Sequence, residues 1–128
     1  MSRTGKSKRK PGLPVTWKTF KALGMSFPGV EEGKSWGTPA IKVRGKMLAR
    51  LREDGETVVI RIEIAARALM IEADPEAFFY TDHYANYPAV LIRLASVQVD
   101  DLKELIEDAW RELAPKKIVA AHDATREA

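Results

Sequence analysis

Apolar and polar residues alternate with a period of two through the middle of the chain and follow a helical period towards both ends. That pattern predicts a sheet with helices packed on it. Trp17, Phe20, Leu23 and Met25 recur at roughly helical spacing, with Thr16 as a candidate N-cap and Gly24 as the expected stop. Phe27-Pro28-Gly29 then forces a turn. Residues 40–44 set Ile41 and Val43 against Lys42 and Arg44, and Gly45-Lys46 is a tight connection. Residues 47–53 set Leu48, Arg50 and Arg52 against Met47, Ala49 and Leu51. Asp54-Gly55 signals a type I′ hairpin, because both central residues must tolerate positive φ. Residues 57–64 read as the clearest strand, with Val58, Ile60, Ile62 and Ile64 on one side and Arg61 and Glu63 on the other.

Residues 65–72, rich in Ala, Leu and Met, predict a short helix, and Asp74-Pro75 an N-cap and first position of a further helical turn. Residues 79–82 read as a short strand, 84–88 as a loop, and 89–95 as a strand with Val90, Ile92 and Leu94 in phase. The closing helix is capped by Asp100 or Asp101 and ended by Pro115. Its apolar stripe is Leu102, Leu105, Ile106, Ala109 and Leu113, with Trp110 beside it. The resulting order is α-β(3)-α-β(2)-α. Hairpin connections imply an antiparallel sheet in a two-layer α+β sandwich, one face under helices and the other free.

Composition adds limits. At 128 residues the chain fits one domain. We read residues 1–13 as a disordered basic tail, 14–117 as the domain and 118–128 as a weakly structured end. The absence of cysteine excludes disulfides, thiolate metal sites and cysteine nucleophiles. No apolar run approaches the roughly 20 residues that span a bilayer. No apolar segment follows the basic N-terminus, so a cytoplasmic location without membrane association is expected. The net charge is +3, but Arg3, Lys6, Lys8, Arg9 and Lys10 alone give +5, so residues 11–128 carry 3 − 5 = −2. The basic pI therefore belongs to the tail, whose charge raises non-specific affinity for phosphate backbones.

A linear pattern then stands out. Phe27-Pro28-Gly29-Val30-Glu31-Glu32 leads into Trp36-Gly37-Thr38-Pro39-Ala40 and on to Val43-Arg44-Gly45-Lys46-Met47-Leu48-Ala49-Arg50-Leu51. Phe78-Phe79, Tyr84, Pro88 and a closing Asp108-Ala109-Trp110 follow. From about residue 15 to 117 this resembles the MmcQ/YjbR-like family of small bacterial proteins, although the family often has an aromatic residue where Ala40 stands. The resemblance implies an α-β(3)-α-β(2)-α two-layer fold and a double-wing arrangement of hairpins that is often labelled DNA-binding. Such a label is an analogy of fold. It brings no catalytic residues.

Three groups of residues could carry function. If alternation holds, Lys42, Arg44, Arg50, Arg52, Arg61 and Arg93 point away from the helices, with Lys46 in the adjoining turn. Such a face would meet DNA phosphates, in duplex rather than single-stranded form because no stacking aromatics are seen on it. The competing account is a solvated face on which Glu53, Glu56 and Glu63 pair with these cations. A second group, Trp36, His83, Tyr84 and Tyr87, could form a protein or small-ligand pocket with an acid–base histidine, or simply dock a loop. The third, Glu31 and Glu32, supplies too few oxygens for a hard cation. No catalytic motif, cofactor or metal set is evident. The expectation is a non-enzymatic DNA-binding protein of low sequence specificity, with a protein or small-ligand module as the alternative.

Overall fold

The computed structural model describes residues 15–127, so the expected tail at residues 1–13 lies outside the described residues. The elements run α1 (Trp17–Met25), β1 (Val30–Ser35), β2 (Thr38–Val43), β3 (Lys46–Leu51), β4 (Thr57–Arg61), α2 (Ile64–Ala73), β5 (Phe78–Phe79), β6 (Ala89–Arg93), α3 (Val99–Leu113) and α4 (Lys116–Glu127). All strand pairs are antiparallel, in the order β1-β2-β3-β4-β6-β5. The α+β class and the antiparallel sheet are as expected. The main core joins Ile41, Val43, Leu48, Val58, Ile60, Val90 and Ile92 of the sheet to Phe20 of α1 and to Leu102, Ile106 and Trp110 of α3. Burying these side chains out of water is the chief stabilising contribution. Trp110 also donates its indole N–H to the Pro28 carbonyl at 2.8 Å, fixing the turn after α1.

Several expectations need correction. The first run of strands has four members, not three, because Val30–Ser35 forms an edge strand. Only Val30 of its six residues is buried, so it carries no alternation to read. Thr16 caps α1 as expected, accepting from the Thr19 N–H at 3.3 Å. Gly24 does not stop the helix; it lies inside α1 where a Cβ would strike the Ile41 side chain. Asp54-Gly55 is not a type I′ pair, since only Gly55 has positive φ; the Asp54 carboxylate instead accepts from the N–H groups of Glu56 and Thr57. Asp74 terminates α2 rather than starting a helix. Gln98 holds the N-cap position of α3, with Asp100 and Asp101 in its first turn, where carboxylates favour the helix dipole.

The C-terminal end is helix α4 rather than weakly structured. Arg111 of α3 donates to Asp123 of α4 at 2.6 and 3.0 Å and to Glu107 at 2.7 and 2.9 Å, and Arg126 also reaches Glu107 at 3.0 Å. The ring of His122 meets those of Trp110 and Phe27 at 4.9 and 5.6 Å. Hydrogen bonds from Arg111 hold the carboxyls of Glu107 and Asp123 below their ordinary values. Their contribution is therefore complete above the ordinary carboxylate range and lost as pH falls through the lowered values. We expect α4 to undock in acid below about pH 4, seen as a change in tryptophan emission before global unfolding. An unchanged signal down to the unfolding transition would contradict the clamp.

The far face of the sheet, opposite α1 and α3, is not free either. Register passes from Ile41↔Ala49 to Lys42↔Met47, which leaves Leu48 as an extra residue in β3. This bulge turns Leu48 into the helical core and puts Met47 on the far side with Arg50. There Val59, Ala89 and Leu91 form a second, smaller core under Tyr84, with Met47 and Phe79 at its margin.

Candidate functional site

The segment that covers the far face also builds its one aromatic cluster of note. After β5 the chain makes a 3-10 turn over Asp82–Tyr84, which lays Tyr84 on Leu91 and Val59. His83 meets the Tyr84 ring edge-on at 4.8 Å and Tyr87 lies at 5.8 Å. With Trp36, Met47 and Arg50 these rings enclose a shallow hollow of about 120 Å³. All four residues expected of the aromatic group are thus brought together.

Arg50 forms the charged part of this hollow. Its residue is only 7% exposed. Nη1 donates to Thr38 Oγ1 at 3.2 Å and Nη2 to the Tyr84 hydroxyl at 3.3 Å. The only carboxylate oxygen within 4 Å among the described residues is Glu53 Oε2 at 3.8 Å, beyond hydrogen-bond reach. A guanidinium has five N–H donors, and the bonds to Thr38 and Tyr84 hold the two terminal nitrogens of Arg50 in place. Among the described residues, no carboxylate or aliphatic hydroxyl lines the hollow.

A residue that sequence reasoning passed over holds this segment in place. Arg67 of α2, 4% exposed, donates to the carbonyls of Tyr84, Ala85 and Ala89 at 2.9 Å and of Tyr87 at 3.2 Å, and lies 3.9 Å from the Tyr80 ring centre. One side chain thereby bonds four carbonyls between residues 84 and 89, of which that of Tyr84 also accepts from the Tyr87 N–H at 3.0 Å. The available signal was a lone arginine inside the apolar run Ile64-Ala65-Ala66-Arg67-Ala68-Leu69-Met70.

The expected row of cations divides. Arg50 is buried, Arg61 reaches the helical side to pair with Glu112 at 3.2 Å, and Arg93 donates to the Pro75 and Glu76 carbonyls while lying over the Phe79 ring. These three are committed to the fold. Lys42, Arg44, Lys46 and Arg52 make no ion pair among the described residues. Lys42, Arg44 and Lys46 cluster around the β2–β3 turn, beside Met47 of the hollow.

The two hairpin turns flanking β2 share an unusual feature. Trp36-Gly37 and Arg44-Gly45 each have positive φ at both positions, with Trp36 at 56° and Arg44 at 52°. Such turns favour Asn-Gly or Gly-Gly, and a bulky L-residue there costs about 1–2 kcal/mol. Trp36 is 81% exposed, so packing does not offset that cost. The paired acids Glu31 and Glu32 lie on opposite faces of β1, Glu32 bonded to Lys21 at 3.3 Å.

The YjbR family model matches residues 25–112. The chain is 37% identical over 91 residues to "Uncharacterized protein Rv2570" of Mycobacterium tuberculosis (strain ATCC 25618 / H37Rv) and to "Uncharacterized protein Mb2600" of Mycobacterium bovis. These alignments cover 68% of this chain and 70% of each relative. Among solved structures, Deinococcus radiodurans protein DR2400, with family-model domain DUF419, matches with a TM-score of 0.64 over 75% of this chain and 76% of that one. At 17% identity that likeness shows the fold alone.

Proposed function

The chain belongs to the YjbR family, and from the surface it builds on that fold we propose that it is a non-enzymatic, low-specificity DNA-binding module taking single-stranded chain across the far face of its sheet. The observation that carries this reading is Trp36, an exposed indole held in a strained turn at the rim of a hollow floored by Arg50. Exposed rings beside a cationic track are what single-strand binding uses, because every base offers a π-face for stacking. Tyr87, 47% exposed, offers a second ring. Lys42, opposite Met47, is a free cation for phosphate on the same side, with Arg44 in the adjoining turn, whereas Lys46, opposite Val43, lies towards the helical side. The rings on this face move the expected nucleic acid from duplex to single strand.

Size separates this from a small-ligand pocket. Drug-sized ligands occupy clefts of roughly 300–1,000 Å³, whereas the hollow holds about 120 Å³. It accommodates one ring or one phosphate of a longer chain, not a whole cofactor.

The test is fluorescence anisotropy with labelled single- and double-stranded oligonucleotides across a salt series, using the full chain and one starting at Pro14. The shorter chain is expected to retain single-strand binding, with affinity falling as salt rises. Absence of binding by both chains at about 50 mM salt, where phosphate contacts are strong, would overturn the reading. So would complete loss on removing the tail. Preference for a protein partner, with no oligonucleotide bound, would move the same hollow to the alternative function.

A further inference from the structure

We infer that the exposed edge of β1 pairs antiparallel with the same edge of a second copy of this chain, in a register centred on Gly33. The strand ends the sheet, and residues 31–34 are all exposed. No other described strand pairs with its outer edge. An open edge of this length presents unpaired backbone donors and acceptors to any matching strand.

The phase of those groups follows from the neighbouring turn. Trp36-Gly37 is a two-residue turn with both φ positive, closing on Ser35 and Thr38. In such a hairpin Ser35, Gly33 and Glu31 exchange bonds with β2, and Glu32 and Lys34 direct theirs outward, while the Val30 N–H is taken by the Phe27 carbonyl at 3.4 Å. A two-fold axis normal to the sheet keeps helical and far faces matched only when the axis passes midway between a residue of the strand and its own copy. Centring on Glu31, Glu32 or Lys34 sets like charges directly opposite each other. Centring on Gly33 sets Glu32 against Lys34 of the second copy and Lys34 against Glu32 of the second copy. Both are outward-bonding positions, so each pair joins two backbone hydrogen bonds to an ion pair. Gly33 meets its own copy at the close, non-hydrogen-bonded site, where the absence of a Cβ leaves room.

The product is a continuous twelve-stranded sheet with two identical far faces on one side. This goes beyond the nucleic-acid reading and does not depend on it. The occupant is a second copy because the edge sequence is self-complementary in only this register.

Sedimentation velocity on the full chain tests the inference. Wild type is expected to dimerise reversibly with a Kd in about the 1–100 µM range. Glu32→Lys and Lys34→Glu each replace both ion pairs with like-charge pairs and should weaken self-association at least about tenfold. Mixing the two variants in equal amounts restores opposite charges at both pairs and should restore the dimer. Wild type that stays monomeric to about 300 µM, single variants that dimerise like wild type, or a mixture that fails to recover would each overturn it. Recovery on mixing cannot arise from misfolded variants, so loss of folding does not imitate the expected result.

Discussion

Replacing Arg67 by methionine is expected to destabilise the fold by about 3 kcal/mol or more, because it removes four charge-assisted hydrogen bonds at once, two of them buried. The guanidinium serves the carbonyls of Tyr84, Ala85, Tyr87 and Ala89. Each buried orphan costs about 1–3 kcal/mol, less whatever is regained where the loop opens to water. Methionine keeps helix propensity and most of the apolar volume, so the loss cannot be ascribed to α2 itself. Arg67→Lys should recover only part, since an ammonium lacks the planar fork that spans four acceptors. Urea denaturation reads the difference through the midpoint. A loss below about 1 kcal/mol would mean that Arg67 contributes no more than an ordinary hydrogen bond.

The second large effect runs in opposite directions for stability and binding. Trp36→Gly relieves the positive-φ cost of about 1–2 kcal/mol, partly offset by the greater freedom glycine has when unfolded. Stability should be unchanged or higher by up to about 1 kcal/mol. Loss of the ring should nevertheless weaken single-strand binding by tenfold or more, since stacking is worth about 1–3 kcal/mol per base. Combining it with Tyr87→Ala should deepen the loss. Destabilisation by more than about 1 kcal/mol would instead identify Trp36 as part of the packing.

How much of this the chain reveals before folding depends on what each segment buries. β2, β4, β6 and α3 could be read because one or both faces enter a core, and burial leaves periodicity in the sequence. β1 could not, since its stability comes from backbone pairing with β2 rather than from side chains. The bulge at Leu48 was invisible because Leu48 and Ala49 are both apolar and both enter the main core, so nothing in the pattern marks the extra residue. α4 rests Ile118 and Val119 on the core and is held as well by Arg111, Glu107 and Asp123, an arrangement that only tertiary structure brings together.

For the site, the grouping of Trp36, His83, Tyr84 and Tyr87 was legible as aromatic density near loops, but its union with Arg50 was not. Strand parity correctly sent Arg50 to the far face, yet parity does not say that Tyr84 will cover it. For Arg61, at the end of β4, parity was a poor guide to the guanidinium, whereas Arg93, at the end of β6, stays on the far face over the Phe79 ring. A long side chain at a strand end can reach partners on either side, and these two found Glu112 and backbone carbonyls.

The claim that the far face receives single-stranded nucleic acid is tested most directly by resonance mapping on the full chain. The three tryptophans should give separate indole N–H signals, because their surroundings differ: Trp110 is buried and bonded to Pro28, Trp17 packs against Phe20, and Trp36 stands exposed. Titration with an oligothymidylate is expected to shift the Trp36 indole and the backbone around residues 36–38, 44–47 and 83–87, leaving the Trp110 indole unmoved. Shifts confined to residues 1–14, or no shifts at low salt, would contradict it.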